Sequence, residues 1–261
     1  MNDLRTTAKN IRQDIIKMLA RSAHGTATSL GLVDILVALY FGGMQHNPRN
    51  PSSNERDRLV LSNTHCAPAL YATLAHAGYF SKKHLYTFTK QGSILQGRPT
   101  LQTPGVDASC DTPGNGLGIA CGMALAGETH TFCILGDGEH QNGTVWEAAL
   151  FAANHKLPLI AIIDRNNIQG DGNTEHIAPL GDLAAKYRAF GWTVLETDGH
   201  HIADLQKAIT AGKQTPGPVA IIAHTTSGKG VRFIEHDHRW HKPVTPAQAK
   251  IALAELTYEK H

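Results

Sequence analysis

Apolar residues at Ile11, Ile15, Met18 and Leu19 recur on one helical face, so residues 2–23 predict an amphipathic helix. A Gly-, Thr- and Ala-rich break over 24–29 leads into a second, more apolar helix over 30–41. The prolines of 47–54 mark a loop, 57–62 predict a short strand, and 67–77 and 82–89 read as helices. Residues 92–112 lack periodicity and read as an ordered loop. The pattern then alternates. Helices are predicted over 114–126, 144–154, 181–190 and 202–211, and strands over 131–135, 157–164, 193–196 and 218–223. Apolar strands alternating with helices imply an α/β fold: a doubly wound, mostly parallel sheet with helices on both faces. A last helix covers 246–258, so residues 1–245 are assigned to one domain and 246–261 to a C-terminal helix and tail.

Length and composition narrow the class. A chain of 261 residues can bury a sizeable core. A formal charge of +2 argues against a nucleic-acid groove and against a polybasic membrane binder. The longest apolar stretch, 31–44, is short and interrupted by Asp34, so no membrane span is expected. The N-terminus is charged throughout, unlike a signal peptide. Cys66, Cys110, Cys121 and Cys133 form no CxxC pair and read as free thiols of a cytoplasmic protein. Histidine is the unusual component, at 16 residues, and suits proton handling near neutral pH.

Ligands of open parallel sheets bind at the carboxyl ends of the strands. Two predicted strands end in oxygen donors there: Asp137 within Gly136-Asp137-Gly138, and Asn166 within Arg165-Asn166-Asn167. The intervening residues suffice for one helix and one strand, which would make the two strands parallel neighbours. A GDG tripeptide alone signals a tight turn; the asparagine at the next strand end makes it a candidate site. A carboxylate and an amide oxygen suit Mg²⁺ or Ca²⁺, not zinc. The small donor set suggests a magnesium that also grips a phosphate, and the two glycines allow close approach of backbone to that ligand.

The stretch GDGEHQNGTVWEAALFAANHKLPLIAIIDRNNIQ resembles the thiamine-diphosphate motif, which opens with GDG and closes with NN. Its flanks RDRLVLSNTHCAPALYATLAHAGY, PGVDASCDTPGNGLGIACGMALA and LAAKYRAFGWTVLETDGHHIADLQKAI are similar to transketolase segments. The resemblance spans residues 10–245 and implies the diphosphate-binding (PP) domain of a transketolase. Such enzymes transfer a two-carbon ketol unit from a ketose donor to an aldehyde acceptor through a carbanion carried on thiamine diphosphate. The resemblance further implies that Asp137, Asn166 and the Ile168 carbonyl hold Mg²⁺ (or Ca²⁺). Gly136 and Gly138 would border the diphosphate, and Asp111, Thr112 and Pro113 would lie against the cofactor. His65 and His241 match family histidines near the cofactor. His24 matches another if one residue is inserted; an ungapped alignment puts Gly25 there.

Several positions depart from the family pattern. Arg98 stands where a histidine is usual, which suggests an acidic substrate, since arginine binds carboxylate, phosphate or sulfonate bidentately. Asn142 replaces a glutamate that links paired cofactor sites in relatives, and the cofactor loop reads Asp111-Thr112-Pro113-Gly114-Asn115-Gly116. Transketolases also use a second, pyrimidine-binding domain, for which no segment of this chain remains. A split enzyme follows as the expectation. Its partner would be a transketolase C-terminal (pyrimidine-binding) subunit in an α2β2 assembly, acting on sugars or sugar phosphates. Two alternatives are a biosynthetic transferase that loads a lipoyl or acyl carrier protein, and a non-catalytic regulatory subunit.

Overall fold

The computed structural model describes residues 3–258. Helix α1 (Leu4–Leu19) is capped by Asp3, whose side chain accepts the Arg5 N–H, and buries Ile11, Ile15, Met18 and Leu19. The chain then runs through a 3₁₀ turn (Ala27–Leu32), α2 (Val33–Ala38) and a wide turn at Leu39–Gly43 before β1 (Arg58–Leu61). Helix α3 (Ala67–His76) and, after a long loop, α4 (Asn115–Ala126) precede β2 (Thr131–Gly136). Helix α5 (Gly143–Asn154) leads to β3 (Leu159–Arg165). A hairpin of β4 (Ile168–Gln169) and β5 (Gly172–Asn173), then α6 (Thr174–Ile177) and α7 (Leu183–Ala189), lead to β6 (Thr193–Asp198). Helix α8 (Ile202–Gln214), β7 (Val219–His224) and α9 (Pro246–Tyr258) complete the fold.

Five strands pair in parallel in the order β1-β2-β3-β7-β6. Alternation along the strands feeds two core layers. Leu59, Leu61, Phe132, Ile134, Ile160, Ile162, Val219 and Ile221 face α1, α2, α3, α8 and α9. Val60, Cys133, Leu135, Ala161, Ile163, Ala220 and Ile222 face α4, α5 and α7. The expected doubly wound sheet is therefore present. The central strands β2 and β3 are buried almost throughout, whereas β6, at the edge, is polar and partly exposed.

Three features differ from the sequence expectation. The apolar segment 30–41 is not one helix but 3₁₀, α and π turns in succession. Its residues are almost all buried, and Gly31 is pressed so tightly on the Thr226 carbonyl that a Cβ would lie 2.5 Å from it. Tertiary packing, not propensity, shapes that run. The β4–β5 hairpin and α6 are too short to leave a periodic signal. Helix α9, assigned above to a region of its own, contributes Ala249, Ala252 and Leu256 to the same core as α1. All four cysteines are buried and free. Among the described residues no helix is long and apolar enough to cross a membrane.

Candidate active site

The register of the sheet builds the site. Gly136 at the end of β2 is level with Asp164 on β3, so Asp137 and Asn166 emerge side by side. Ser62 and Asn63 follow the end of β1 at the same height. A pocket at this edge is lined by Thr26, Asn63, His65, Pro113, Gly136, Asp137, Gly138, Glu139, Asn142, Asn166, Ile168, Gln169, Gly170 and His241.

Asp137 is buried at 1% exposure. Its Oδ2 accepts from Arg165 Nη1 at 3.0 Å and from the Asn167 N–H at 2.7 Å. Its Oδ1 accepts from the Gly138 N–H at 2.7 Å and from Thr174 Oγ1 at 3.2 Å. Asn167 reaches Asp137 because its backbone is left-handed (φ 60°), a conformation asparagine tolerates. Arg165 also pairs with Glu175 at 2.5 Å. Burial nonetheless holds the Asp137 carboxyl above its ordinary value, outweighing the Arg165 charge and the backbone donors.

Asn166 is oriented from both ends. Its Nδ2 donates to Asp164 Oδ2 at 3.0 Å, and its Oδ1 accepts from the Ile168 N–H at 2.8 Å. Asp164 is buried and also accepts from Thr225 Oγ1, and burial raises its carboxyl to about 6. Asp137, Asn166 and Ile168 line the same pocket, and a carboxylate, an amide oxygen and a backbone carbonyl are hard donors of the kind that could hold a divalent cation such as Mg²⁺. The glycines form a cradle beside it. A Cβ on Gly136 would lie 3.0 Å from Asn63 Nδ2, and one on Gly138 would lie 3.1 Å from the Gln169 side chain.

Two histidines face one another across the pocket, the rings of His65 and His241 lying 6.5 Å apart and nearly perpendicular. His241 Nδ1 lies 2.8 Å from the His238 carbonyl. A carbonyl can only accept, so Nδ1 carries a proton, and in the neutral ring Nε2 holds the lone pair. The pKa of His65 is lowered by desolvation and by the charges of His241 and Arg98. Thr26 Oγ1 donates to the His65 carbonyl at 2.7 Å and steadies that turn.

The other sequence candidates lie further out. Pro113 lines the pocket, but Asp111 and Thr112 are exposed on the approaching loop. Arg98 is exposed near them, and its Nη1 donates to the Asp111 carbonyl. Tyr71 Oη holds that loop, lying 2.9 Å from both the Gln96 and Arg98 carbonyls, which share its single proton. His24 is exposed at the first helix junction and is not brought to the pocket. Gly25 there is left-handed (φ 96°), and a Cβ on it would meet Leu19 at 2.7 Å.

Sequence reasoning missed Thr26, Glu139 and His140. His140 is buried and donates from Nδ1 to the Gly136 and Asp137 carbonyls, both at 3.1 Å. Its Nε2 accepts from Tyr187 Oη at 2.9 Å, and burial lowers its pKa to about 4. It is a neutral brace beneath the Asp137 turn. No signal short of the three-dimensional contact marks it, since its partner lies 47 residues away.

Residues 3–258 match the family described as transketolase, thiamine diphosphate binding domain. The chain is 40% identical over 267 residues to the 6-deoxy-6-sulfo-D-fructose transketolase subunit of a Clostridium species, covering 98% of this chain and 97% of that one. It is 36% identical over 245 residues to one subunit of the apulose-4-phosphate transketolase of Phocaeicola vulgatus, covering 91% of this chain and 87% of the relative. The crystal structure of Campylobacter jejuni transketolase superposes with a TM-score of 0.89 at 32% identity, over 99% of this chain and 44% of that enzyme. The chain therefore spans less than half of the solved enzyme and nearly the full length of the two relatives that are themselves subunits.

Proposed function

Because this chain belongs to the transketolase family through its thiamine-diphosphate-binding domain, we propose that it is the diphosphate-binding subunit of a split transketolase. The observation that carries the reading is the pairing of Asp137 and Asn166 at adjacent strand ends, facing His65 and His241. Asp137, Asn166 Oδ1 and the Ile168 carbonyl would hold Mg²⁺, with Ca²⁺ as a substitute. Gly136 and Gly138 would admit the diphosphate, with Pro113 and the Asp111–Thr112 loop alongside. Bound thiamine diphosphate supplies the electron sink that lets a carbon–carbon bond next to a carbonyl break and re-form.

The protein's own part is proton handling and orientation. His241 presents its free Nε2 lone pair, so it can take a hydroxyl proton from a sugar and return it. Burial and the neighbouring His241 and Arg98 lower the His65 pKa and so favour its neutral form, which can take part in the same exchange. His24 lies outside the pocket and would join substrate binding only if a partner or substrate brought it in.

Arg98 narrows the substrate. Its guanidinium is exposed beside the pocket and retains donors not used on the Asp111 carbonyl. We assign it to the anionic end of a phosphorylated or sulfonated ketose. Both relatives described above act, by their names, on such acidic sugars. A separate chain would supply the pyrimidine-binding half in an α2β2 assembly; the naming of both relatives as transketolase subunits supports this division.

Calorimetry tests the cofactor half of this reading. The chain with its partner subunit should bind thiamine diphosphate only when Mg²⁺ or Ca²⁺ is present. EDTA or Asp137→Ala should abolish that binding. Equal binding by Asp137→Ala, or binding indifferent to EDTA, would contradict it.

A further inference from the structure

Glu139 follows Asp137 by two residues and is 6% exposed, yet its side chain borders the pocket. Its Oε1 accepts from Ser62 Oγ at 2.5 Å and from the Gly114 N–H at 2.7 Å. Its Oε2 accepts from the Gly136 N–H at 2.6 Å. The three donors belong to three separate stretches: the end of β1, the N-cap of α4 and the end of β2. Each stretch borders the cradle described above. The contact with Gly136 also closes the short turn that carries Asp137 and Gly138.

The joint is tight. Gly114 is left-handed (φ 89°) where α4 begins, and a Cβ on Gly116 would lie 2.4 Å from Ser62 Cβ. The start of α4 therefore rests directly on the end of β1, with the Glu139 carboxylate between them and β2. An amide could not replace that carboxylate. With its NH₂ in the Oε2 position it would leave the Gly136 N–H without an acceptor. Turned the other way, it would leave the Gly114 N–H without one.

We propose that Glu139 is a positioning residue for the cofactor: its carboxylate sets the mutual placement of the three backbone stretches around the diphosphate, and so the affinity for Mg²⁺–thiamine diphosphate. The inference rests on the cofactor reading above. It assigns Glu139 no contact with substrate. The saturated rate of the enzyme should therefore survive its loss while cofactor affinity does not.

The test compares wild type, Glu139→Gln and Ser62→Ala, each as the full chain with its partner subunit, with thermal melting to verify folding. Calorimetry with Mg²⁺–thiamine diphosphate should show about 10- to 100-fold weaker binding for Glu139→Gln, the range seen when groups supporting ligand-binding residues are lost. Ser62→Ala removes one donor but strands neither backbone N–H, so it should weaken binding less. The kcat at saturating cofactor should stay within about twofold of wild type in both. A folded Glu139→Gln protein that binds like wild type overturns the inference. If Glu139→Gln does not fold, Ser62→Ala at wild-type affinity overturns it. Failure of the wild-type complex to bind the cofactor would instead overturn the cofactor reading itself.

Discussion

Arg98 sets the substrate class in this account. Its loop is pinned by Tyr71, its carbonyl-bound nitrogen anchors Asp111, and its other nitrogens remain free for an anion. Arg98→Ala should lower kcat/KM for a phosphorylated or sulfonated ketose by about tenfold or more, since hydrogen bonds to charged groups are worth ~1.5–3 kcal/mol. The same substitution should leave an uncharged ketose such as fructose almost unaffected. Steady-state kinetics on both donors checks this, and equal losses on the two would contradict it. The residues that can be read from their place at a predicted strand end are Asp137 and Asn166; Ile168 comes from the motif resemblance. His65 and His241 come only from the motif resemblance, and the structure places them together in the pocket. Glu139, Thr26 and His140 cannot be read, because each acquires its role from partners many residues distant. His24 shows the reverse case, a motif residue that the fold leaves in solvent.

At the scale of elements, the parallel register of β1, β2 and β3 brings the site together, and an ion-pair network ties the supporting helices. Arg12 of α1 pairs with Asp34 of α2 at 2.5 Å, both buried. His200, after β6, lies 2.7 Å from Asp34 through Nδ1, and its Nε2 accepts the Thr226 N–H at 2.7 Å. Nε2 therefore carries no proton, and Nδ1–H is the donor to Asp34. Burial alone would raise the Asp34 pKa, but the Arg12 charge and the hydrogen bonds from His200 and Arg12 hold it below the ordinary value. A carboxyl depressed on folding stabilises above its unfolded pKa and loses that contribution as pH falls through the folded value. Asp34→Ala should cost about 3–5 kcal/mol near neutral pH, because it strands the Arg12 charge. Urea unfolding should show the gap to wild type shrinking as the pH falls below the ordinary carboxylate range and through the depressed pKa of folded Asp34. A gap constant with pH would contradict this. Most elements are legible in the sequence, since alternating apolar strands and amphipathic helices leave periodic signals. Residues 30–41 are not, because a run buried on every side has no polar face to reveal its turns.

At the scale of the molecule, one five-stranded parallel sheet carries the pocket. The two core layers close around the central strands, and the pocket opens at their carboxyl ends, lined by Asp137, Asn166, His65 and His241 among others. This chain covers 44% of a solved transketolase; in the function proposed above it carries the diphosphate side of the chemistry and a partner subunit supplies the pyrimidine side. The central claim is that two subunits share one active site. The direct measurement is ketol transfer from a phosphorylated ketose to an aldehyde acceptor, with thiamine diphosphate and Mg²⁺. It is made on this chain alone, on the partner alone and on their mixture. The account predicts turnover in the mixture only, lost again when Asp137→Ala replaces the wild-type chain; full turnover by this chain alone, or an active mixture containing Asp137→Ala, would contradict it.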